Sequence, residues 1–229
     1  MTLSPTPRST VRRNSRRART DRAELYALLD EALICHLGVL VDGAPVVLPT
    51  GYGRVGDVLY LHGSVASRSL AAASELPVSV AVTQVDGVVY ARSSFHCSMN
   101  YRSAVVHGTA RTVTDAEEIL RGLTALTEHL APGTWSHART PTRKELAATT
   151  VLALDLAEAS VKMRSGPPAD DAEDVEAGTA WAGVLPVRTV IGTPEPCPLL
   201  PAGTAVPRHI LERIGGAERD AAVANAGVG

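Results

Sequence analysis

The stretch Leu59-Tyr60-Leu61-His62-Gly63-Ser64-Val65-Ala66-Ser67-Arg68 has the pattern of a strand, a turn and the start of a helix. Its first half has the composition of a strand, which ends at His62. Gly63 permits a tight turn, and Ser67 is placed to cap a helix that begins at Arg68. The free N–H groups of a helix start favour anions, and a guanidinium fits phosphate oxygens. This stretch predicts a phosphate site, although the same residues also suit an ordinary cap and surface.

Short strand patterns bounded by turn residues surround this stretch. Strands are predicted at residues 34–41, 46–51, 58–62, 78–85, 88–93, 103–113 and 150–155, and helices at residues 21–32, 68–74 and 115–130. The pairs Asp42-Gly43 and Asp86-Gly87 are typical of hairpin turns. Strands joined in hairpins favour a closed or partly closed antiparallel barrel over a doubly wound parallel sheet, which needs a helix after nearly every strand.

Two further segments are rich in groups that could contact a ligand. Residues 91–103 hold many polar side chains but neither Gly nor Pro, which is unusual for a turn, so they form either a site or a buried polar network. Residues 49–54 place Tyr52 between two glycines, where a planar ring could lie against the backbone. Tyr52 fits a core or rim position equally well.

The composition excludes several classes of protein. The 22 Lys and Arg against 24 Asp and Glu do not make a basic nucleic-acid surface. Apolar runs such as residues 32–41 are shorter than the roughly 20 residues that span a bilayer. The 3 cysteines form no CxxC pair, so free thiols are expected rather than disulfides or a metal site. We therefore expect a cytoplasmic protein that does not bind membranes.

Both ends differ from the middle of the chain. Residues 1–20 contain 6 arginines and no acidic residue, and no apolar run of signal-peptide length follows, which predicts a flexible basic tail. Residues 165–229 are dense in Pro, Gly and acidic residues, which predicts an extended arm with disordered last residues. The apolar island at residues 181–190 would need a partner surface, as in a homodimer. The split-barrel domain is assigned to residues 21–164.

Several motifs occur in a fixed order along the chain. They are His62-Gly63-Ser64 with Ser67-Arg68, then Asp86-Gly87-Val88-Val89-Tyr90-Ala91-Arg92-Ser93, Asn100-Tyr101-Arg102-Ser103-Ala104-Val105-Val106-His107-Gly108, Lys144-Glu145-Leu146 and Lys162-Met163-Arg164-Ser165-Gly166-Pro167-Pro168. In this order the chain resembles the pyridoxamine 5′-phosphate oxidase-like flavin-binding family, and most of all its branch of nitroimidazole-resistance-type flavoproteins. The similarity runs from about residue 17 to residue 186.

The resemblance implies a mainly β, FMN-binding split β-barrel with flanking helices, antiparallel and of Greek-key type, that forms a homodimer with the flavin between subunits. It also implies the binding residues. Ser67 and Arg68 match the segment that holds the FMN phosphate, with His62 and Ser64 close by; Pro49, Thr50 and Gly51 match the strand that faces the isoalloxazine ring; Asn100, Tyr101 and Arg102 are further motif positions. The oxidases themselves end in an Arg-His and Trp pattern that this chain lacks, so vitamin B6 oxidation is not expected.

The expected function is that of an FMN-dependent oxidoreductase acting on an unidentified small molecule. The flavin would perform the chemistry, so no catalytic side chain is assigned. The alternative is a non-catalytic protein, or a barrel that holds FAD, haem or a deazaflavin. Haem remains a possible cofactor because imidazole is a common axial ligand, and the chain offers His62, His96 and His107. A nucleic-acid role for the arginines of residues 12–19 is disfavoured by the slightly acidic body of the protein.

Overall fold

The computed structural model describes residues 2–3, 6–178 and 180–215. Within them the chain forms two compact units, residues 2–130 with 141–188 and residues 131–140 with 189–215. All strands in the described residues belong to the first unit, which is therefore the barrel. Among the described residues, no helix has both the length and the apolar character needed to cross a membrane.

The strands and helices alternate irregularly along the chain. The strands are β1 (Ala18–Arg19), β2 (Cys35–Val41), β3 (Ala44–Thr50), β4 (Tyr52–Val55), β5 (Val58–Ser64), β6 (Val78–Tyr90), β7 (Ser98–Gly108), β8 (Arg111–Thr112), β9 (Thr149–Asp155), β10 (Ala159–Arg164) and β11 (Gly183–Pro186). The helices are α1 (Arg22–Glu31), α2 (Arg68–Glu75), α3 (Ala116–Leu130), α4 (Thr134–His137), α5 (Arg143–Ala147), α6 (Ala172–Ala177) and α7 (Arg208–Leu211). Single 3₁₀ turns lie at Ser15–Arg17 and Ser94–His96.

The larger sheet has seven strands in the order β1-β10-β7-β6-β2-β3, and β11 pairs with the far end of β6. The predicted turn at Asp42-Gly43 is confirmed, since both residues have the positive φ of a two-residue hairpin, 51° and 77°. The predicted turn at Asp86-Gly87 is wrong. β6 runs through both residues, with a bulge between Val85 and Gly87. A side chain at Gly87 would collide with β11, so this glycine admits a neighbouring strand instead of a turn.

The smaller sheet has four strands in the order β4-β5-β9-β8. The sequence predicts no strand between residues 51 and 58, yet Gly53 belongs to β4. This glycine lies directly under α3, where any side chain would collide with the backbone of Ala125 and Leu126. Gly122 of α3 makes a similar close approach to Tyr60 of β5. The glycines thus let the helix pack closely on the sheet.

The core joins the two sheets through α1, which buries Leu25, Leu28 and Leu29. The Tyr52 hydroxyl is fully buried and donates to the carbonyls of Leu29 and Ala32, at 2.6 and 2.8 Å. Every strand pair is antiparallel, and the two sheets do not close into one barrel. The predicted fold class, a mainly β split barrel with flanking helices, is confirmed.

Parts of both predicted end segments join the larger sheet. β1 pairs with β10, and the Arg8 Nε donates to Glu158 Oε1 at 3.1 Å. In the arm, β11 pairs with β6 of the same chain. The last residues of the arm, 216–229, lie outside the described residues. The division of the chain at residues 20 and 164 stays a prediction.

The second unit is small and contains α4 and α7. The rings of His137 and His209, one from each helix, lie with their centroids 5.0 Å apart. Gly133 has a φ of 83°, and a Cβ there would lie 2.7 Å from His209, so the close approach depends on glycine. Among the described residues of this unit, the apolar side chain of Ile214 is buried.

Candidate functional site

The predicted phosphate site lies at the junction of β5 and α2. The Ser67 Oγ accepts from the backbone N–H of Leu70 at 3.3 Å and so caps α2, which begins at Arg68. The Ser64 Oγ accepts from the N–H of Ala66 at 3.2 Å. A Cβ at Gly63 would lie 2.5 Å from the Leu70 Cδ1, so a larger residue here would displace the end of that side chain. The junction combines two hydroxyls, a helix start and a guanidinium, which are groups that bind phosphate.

Arg68 forms an ion pair with Asp42 in the β2–β3 turn. Both side chains are largely exposed, at 73% and 74%. Exposed pairs contribute about 0–1 kcal/mol, so this contact holds Arg68 weakly. An anion with several acceptor oxygens can therefore replace the carboxylate.

The end of β3 lies beside this junction. Gly51 immediately precedes Tyr52, which pairs with Leu61, so Pro49, Thr50 and Gly51 approach the same end of β5 as His62. The pKa of His62 is lowered from its ordinary value because neighbouring protein partly desolvates the ring. On the other side of β5, Ser64 pairs with Thr149 of β9, which the sequence did not single out. Of the predicted residues, His62, Ser64, Ser67 and Arg68 thus lie in one continuous segment at the end of β5, and Gly51 adjoins it through the Tyr52–Leu61 pair, whereas Pro49 and Thr50 lie on β3 of the larger sheet.

The remaining three predicted residues lie on β7 of the larger sheet. Asn100 is buried, accepts from Arg164 and donates to the Gly166 carbonyl at 3.1 Å. Arg102 donates to Asp86 at 2.8 and 3.0 Å and also pairs with Glu31. These bonds raise the pKa of Arg102 and lower that of Glu31. Asn100 and Arg102 therefore form intrachain polar networks, the alternative that the sequence left open, and their part in binding stays a prediction.

The larger sheet has one buried face and one uncovered face. Side chains on the inner face, such as Leu37, Val80 and Val106, are almost completely buried. On the outer face Leu40 and Val47 are 44% and 66% exposed. We call this surface the outer face; its members are His36, Gly38, Leu40, Pro45, Val47, Pro49, Ser79, Ala81, Thr83, Val85, Tyr101, Ser103, Val105 and His107. The outer face is therefore partly apolar and exposed to solvent.

The outer face contains a groove of about 530 Å³ near the β2–β3 hairpin. Its walls are mostly apolar and include Leu40, Val47 and Pro77, with His107 and Arg8 at its edge. The Ser79 hydroxyl lies 2.9 Å from His107 Nδ1. The sequence singled out His107 but could not place it in a groove, because the strand register that creates the groove is not visible in the sequence.

Comparison with known proteins agrees with this architecture. The family model described as pyridoxamine 5′-phosphate oxidase matches residues 21–163. No match was found among curated proteins. Among solved structures, the chain is similar to the flavocytochrome Anf3 from Azotobacter vinelandii, with 38% identity and a TM-score of 0.87, over 93% of this chain and 100% of that one.

Two more solved structures are similar to the chain. An FAD and haem binding protein from Mycobacterium smegmatis has 42% identity and a TM-score of 0.83, over 87% of this chain and 98% of that one. A protein from Bacteroides thetaiotaomicron, named for 5-nitroimidazole antibiotic resistance, has 20% identity and a TM-score of 0.55, over 63% and 85%, and shares the fold. The family model covers the barrel, and the flavocytochrome and the FAD and haem binding protein match most of the chain. The chain therefore belongs to the pyridoxamine 5′-phosphate oxidase family.

Proposed function

We propose that this protein binds a flavin nucleotide and acts as a redox protein in the form of a homodimer, with haem as a second cofactor. The observation that carries the proposal is the 42% identity, over nearly the whole of both chains, to a protein named for binding FAD and haem. The similarity to a flavocytochrome, at 38% identity, supports the same pair of cofactors.

The flavin phosphate is assigned to the junction of β5 and α2. Ser67 and the N–H groups at the start of α2 offer donors, and Arg68 adds a positive charge, which among the described residues is paired with the exposed Asp42. The partial positive charge of the helix start acts in the same direction. FMN and FAD both carry phosphate next to the ribityl chain, so the junction suits either nucleotide.

The flavin ring is assigned to the end of β3, against Pro49, Thr50 and Gly51. Gly51 has no atoms within 4 Å of the position that a Cβ would take, which leaves room for a flat ring. The ring supplies hydride or electron transfer when bound. The residues around it orient the ring and exclude water, and the partly desolvated His62 can accept or donate a proton there.

A second copy of the chain is the proposed partner for the outer face. This surface exposes Leu40 and Val47, which a soluble monomer would rarely leave in contact with water. Farther along β6 and β11, Tyr90, Trp181 and Leu185 are also exposed. A homodimer that covers these side chains would enclose a flavin bound at the end of β3.

Identification of the bound cofactor tests the proposal. The purified protein is expected to release FAD or FMN, measured by mass spectrometry, and to show flavin and haem bands in its visible spectrum. Light scattering after gel filtration should give twice the mass of the 24.0 kDa chain. Quinones, nitroaromatics and deazaflavins are then screened as oxidants of the reduced protein. A monomer that retains no flavin after incubation with FMN or FAD would contradict the proposal.

A further inference from the structure

One edge of the larger sheet is rich in positive charge and free of acidic residues. β1 is the edge strand, β10 lies beside it, and β7 follows. Residues 1–20, 98–108 and 159–169, which contain these strands, include no Asp or Glu. We call the positively charged part of this surface the basic edge; its members are Arg12, Arg13, Arg16, Arg17, Lys162 and Arg164. These positive charges are concentrated on one side of a chain whose net charge is −2.

The fold holds the segment with the four N-terminal arginines on the sheet. β1, which follows them, pairs with β10, and Ala18 lies opposite Lys162. The 3₁₀ turn before β1 starts after Asn14, whose carbonyl accepts from the N–H of Arg17 at 2.9 Å. Val11, which precedes the arginines, lines a small cavity of about 190 Å³ whose wall includes residues of β10. Both ends of the segment therefore lie against β10.

The charge of the basic edge is left unpaired within the part of the chain that the structure describes. None of its side chains forms a salt bridge there, whereas the neighbouring Arg19 pairs with Glu24 and Arg8 pairs with Glu158. Three of its members are exposed and three are half-buried. The positive charge is therefore available to a partner of opposite charge.

Arg164 shows that the positive charges lie close to one another. Its guanidinium donates to the Asn100 side chain and to two backbone carbonyls, at 3.0 and 3.3 Å, and all of these acceptors are neutral. Its pKa is lowered from the ordinary value, first because the group is partly buried and further because Arg17 and Arg16 lie nearby. An anion bound beside these guanidinium groups would relieve their mutual repulsion.

The chemistry of the basic edge suits a macromolecule that binds transiently through charge. No large apolar side chain of residues 10–20 or 159–169 is exposed in the described structure. The surface therefore lacks the apolar centre of a permanent interface. Electron-transfer complexes are typically weak and have small interfaces. Charge complementarity contributes more to their association rate than to their affinity.

An acidic protein fits this surface better than a nucleic acid does. Because the net charge is −2, the rest of the chain is acidic enough to outweigh the basic edge. A nucleic acid is long and evenly charged, so it would meet this acidic surface beyond the edge and be repelled. A small acidic protein can confine its contact to the edge. The edge also borders Asn100, one of the residues that the family resemblance places at the cofactor.

We propose that the basic edge is the docking surface for an acidic electron-transfer protein that reduces the bound flavin. The inference rests on the flavin part of the proposed function, because a redox cofactor is what gives such a partner its role. Two molecules of a one-electron donor, such as a reduced iron–sulfur protein, would lose one electron each for every flavin reduced, and two protons would come from the solvent. Attraction between the charged surfaces would speed the encounter and weaken as the ionic strength rises.

Association of the purified protein with an acidic [2Fe–2S] ferredoxin, followed by surface plasmon resonance, tests the proposal. Three double variants are compared with the wild type: R12Q/R13Q and R16Q/R17Q at the basic edge, and R121Q/R208Q as the control that removes two exposed arginines elsewhere. At low ionic strength the basic-edge variants should associate about 3- to 10-fold more slowly, and the control within about twofold of the wild type, since charge steering changes association rates by about 10- to 1,000-fold in all. In about 1 M salt, where the Debye length is about 3 Å, the differences should disappear.

A second set of measurements separates docking from flavin binding. Flavin content, melting temperature and reduction by reduced methyl viologen, a small molecule that needs no docking surface, should be the same in all four proteins. Reduction by the reduced ferredoxin should slow only in the basic-edge variants. A DNA duplex and phosphatidylserine vesicles are tested as alternative polyanions on the same sensor surface.

Four results would count against the inference. Equal association rates for the wild type and both basic-edge variants would overturn it. Tighter binding of the duplex or the vesicles than of ferredoxin, lost in the same variants, would assign the edge to nucleic acid or to membrane instead. A wild type that contains flavin and is reduced by methyl viologen but does not bind ferredoxin would refute the inference and leave the proposed function standing. A wild type that retains no flavin would refute the proposed function, and with it the electron-transfer role of the edge.

Discussion

Arg68→Ala should weaken flavin nucleotide binding by roughly 10- to 150-fold. A hydrogen bond to a charged group contributes about 1.5–3 kcal/mol, and each 1.4 kcal/mol is about tenfold in affinity. The same change should leave the stability of the apoprotein within about 1 kcal/mol, because the Arg68–Asp42 pair is 73% and 74% exposed. Asp42→Asn removes the competing carboxylate, so it should tighten binding by up to about fivefold.

Quenching of flavin fluorescence during titration of the apoproteins measures these dissociation constants. Riboflavin is the matched ligand control, since it has the ring and the ribityl chain but no phosphate. Arg68→Ala should reduce the affinity for FMN or FAD and leave that for riboflavin unchanged. Equal constants for wild type and Arg68→Ala would place the phosphate elsewhere. The basic side chains of α5 would then be the better candidates, because Ala148 beside that helix bonds to Val65 of the same junction.

Three further predictions concern the framework that holds the site. Gly53→Ala should destabilise the protein by about 1–3 kcal/mol or more in thermal melts because its Cβ would collide with the backbone of α3, whereas Gly51→Ala meets no atom within 4 Å and should melt like the wild type. Tyr52→Phe should cost about 1–3 kcal/mol in urea unfolding, since it removes the hydroxyl that donates to the Leu29 carbonyl at the buried end of α1, while the Ala32 carbonyl keeps His129 Nε2 at 2.8 Å. Hydrogen bonds from Arg8 and a threonine lower the pKa of Glu158 to about 2. The stability that this carboxylate contributes is therefore complete above its ordinary pKa of 4.5 and is lost as the pH falls toward 2. Glu158→Gln should melt at a lower temperature than the wild type at pH 7 and at the same temperature at pH 2.

The elements that local sequence chemistry controls were predictable. Ser67 caps α2 as expected, with a side-chain oxygen that accepts from Leu70, and Asp21 caps α1 in the same way by accepting from Ala23. The Asp42-Gly43 hairpin also formed as predicted, because positive φ at two successive positions restricts the residue types strongly. These signals depend on a few neighbouring residues, so they can be recognised without knowledge of the rest of the fold.

The glycines show where local chemistry is insufficient. Asp86-Gly87 has the same composition as Asp42-Gly43, yet β6 continues through it. The difference arises from β11, more than ninety residues later, which packs so closely on Gly87 that no side chain fits. Gly53 is a second example, since α3 and not a turn requires it. A glycine needed for a distant contact cannot be distinguished in the sequence from a glycine needed for φ.

The two candidate sites differ in the same way, since one is formed by neighbouring residues and the other by separate strands. The β5–α2 junction is continuous in sequence, so its hydroxyls, glycine and guanidinium could be recognised together as a phosphate site. The groove beside His107 exists only through register, because Gly38, Ser79 and His107 come from three strands and have no common motif. A shift of one residue in β2 would replace Gly38 by Leu37 or Val39 on the outer face and fill the groove. Hydrophobic burial of Leu37 and Val39 on the inner face prevents that shift, so the forces that fix the core also create the groove beside His107.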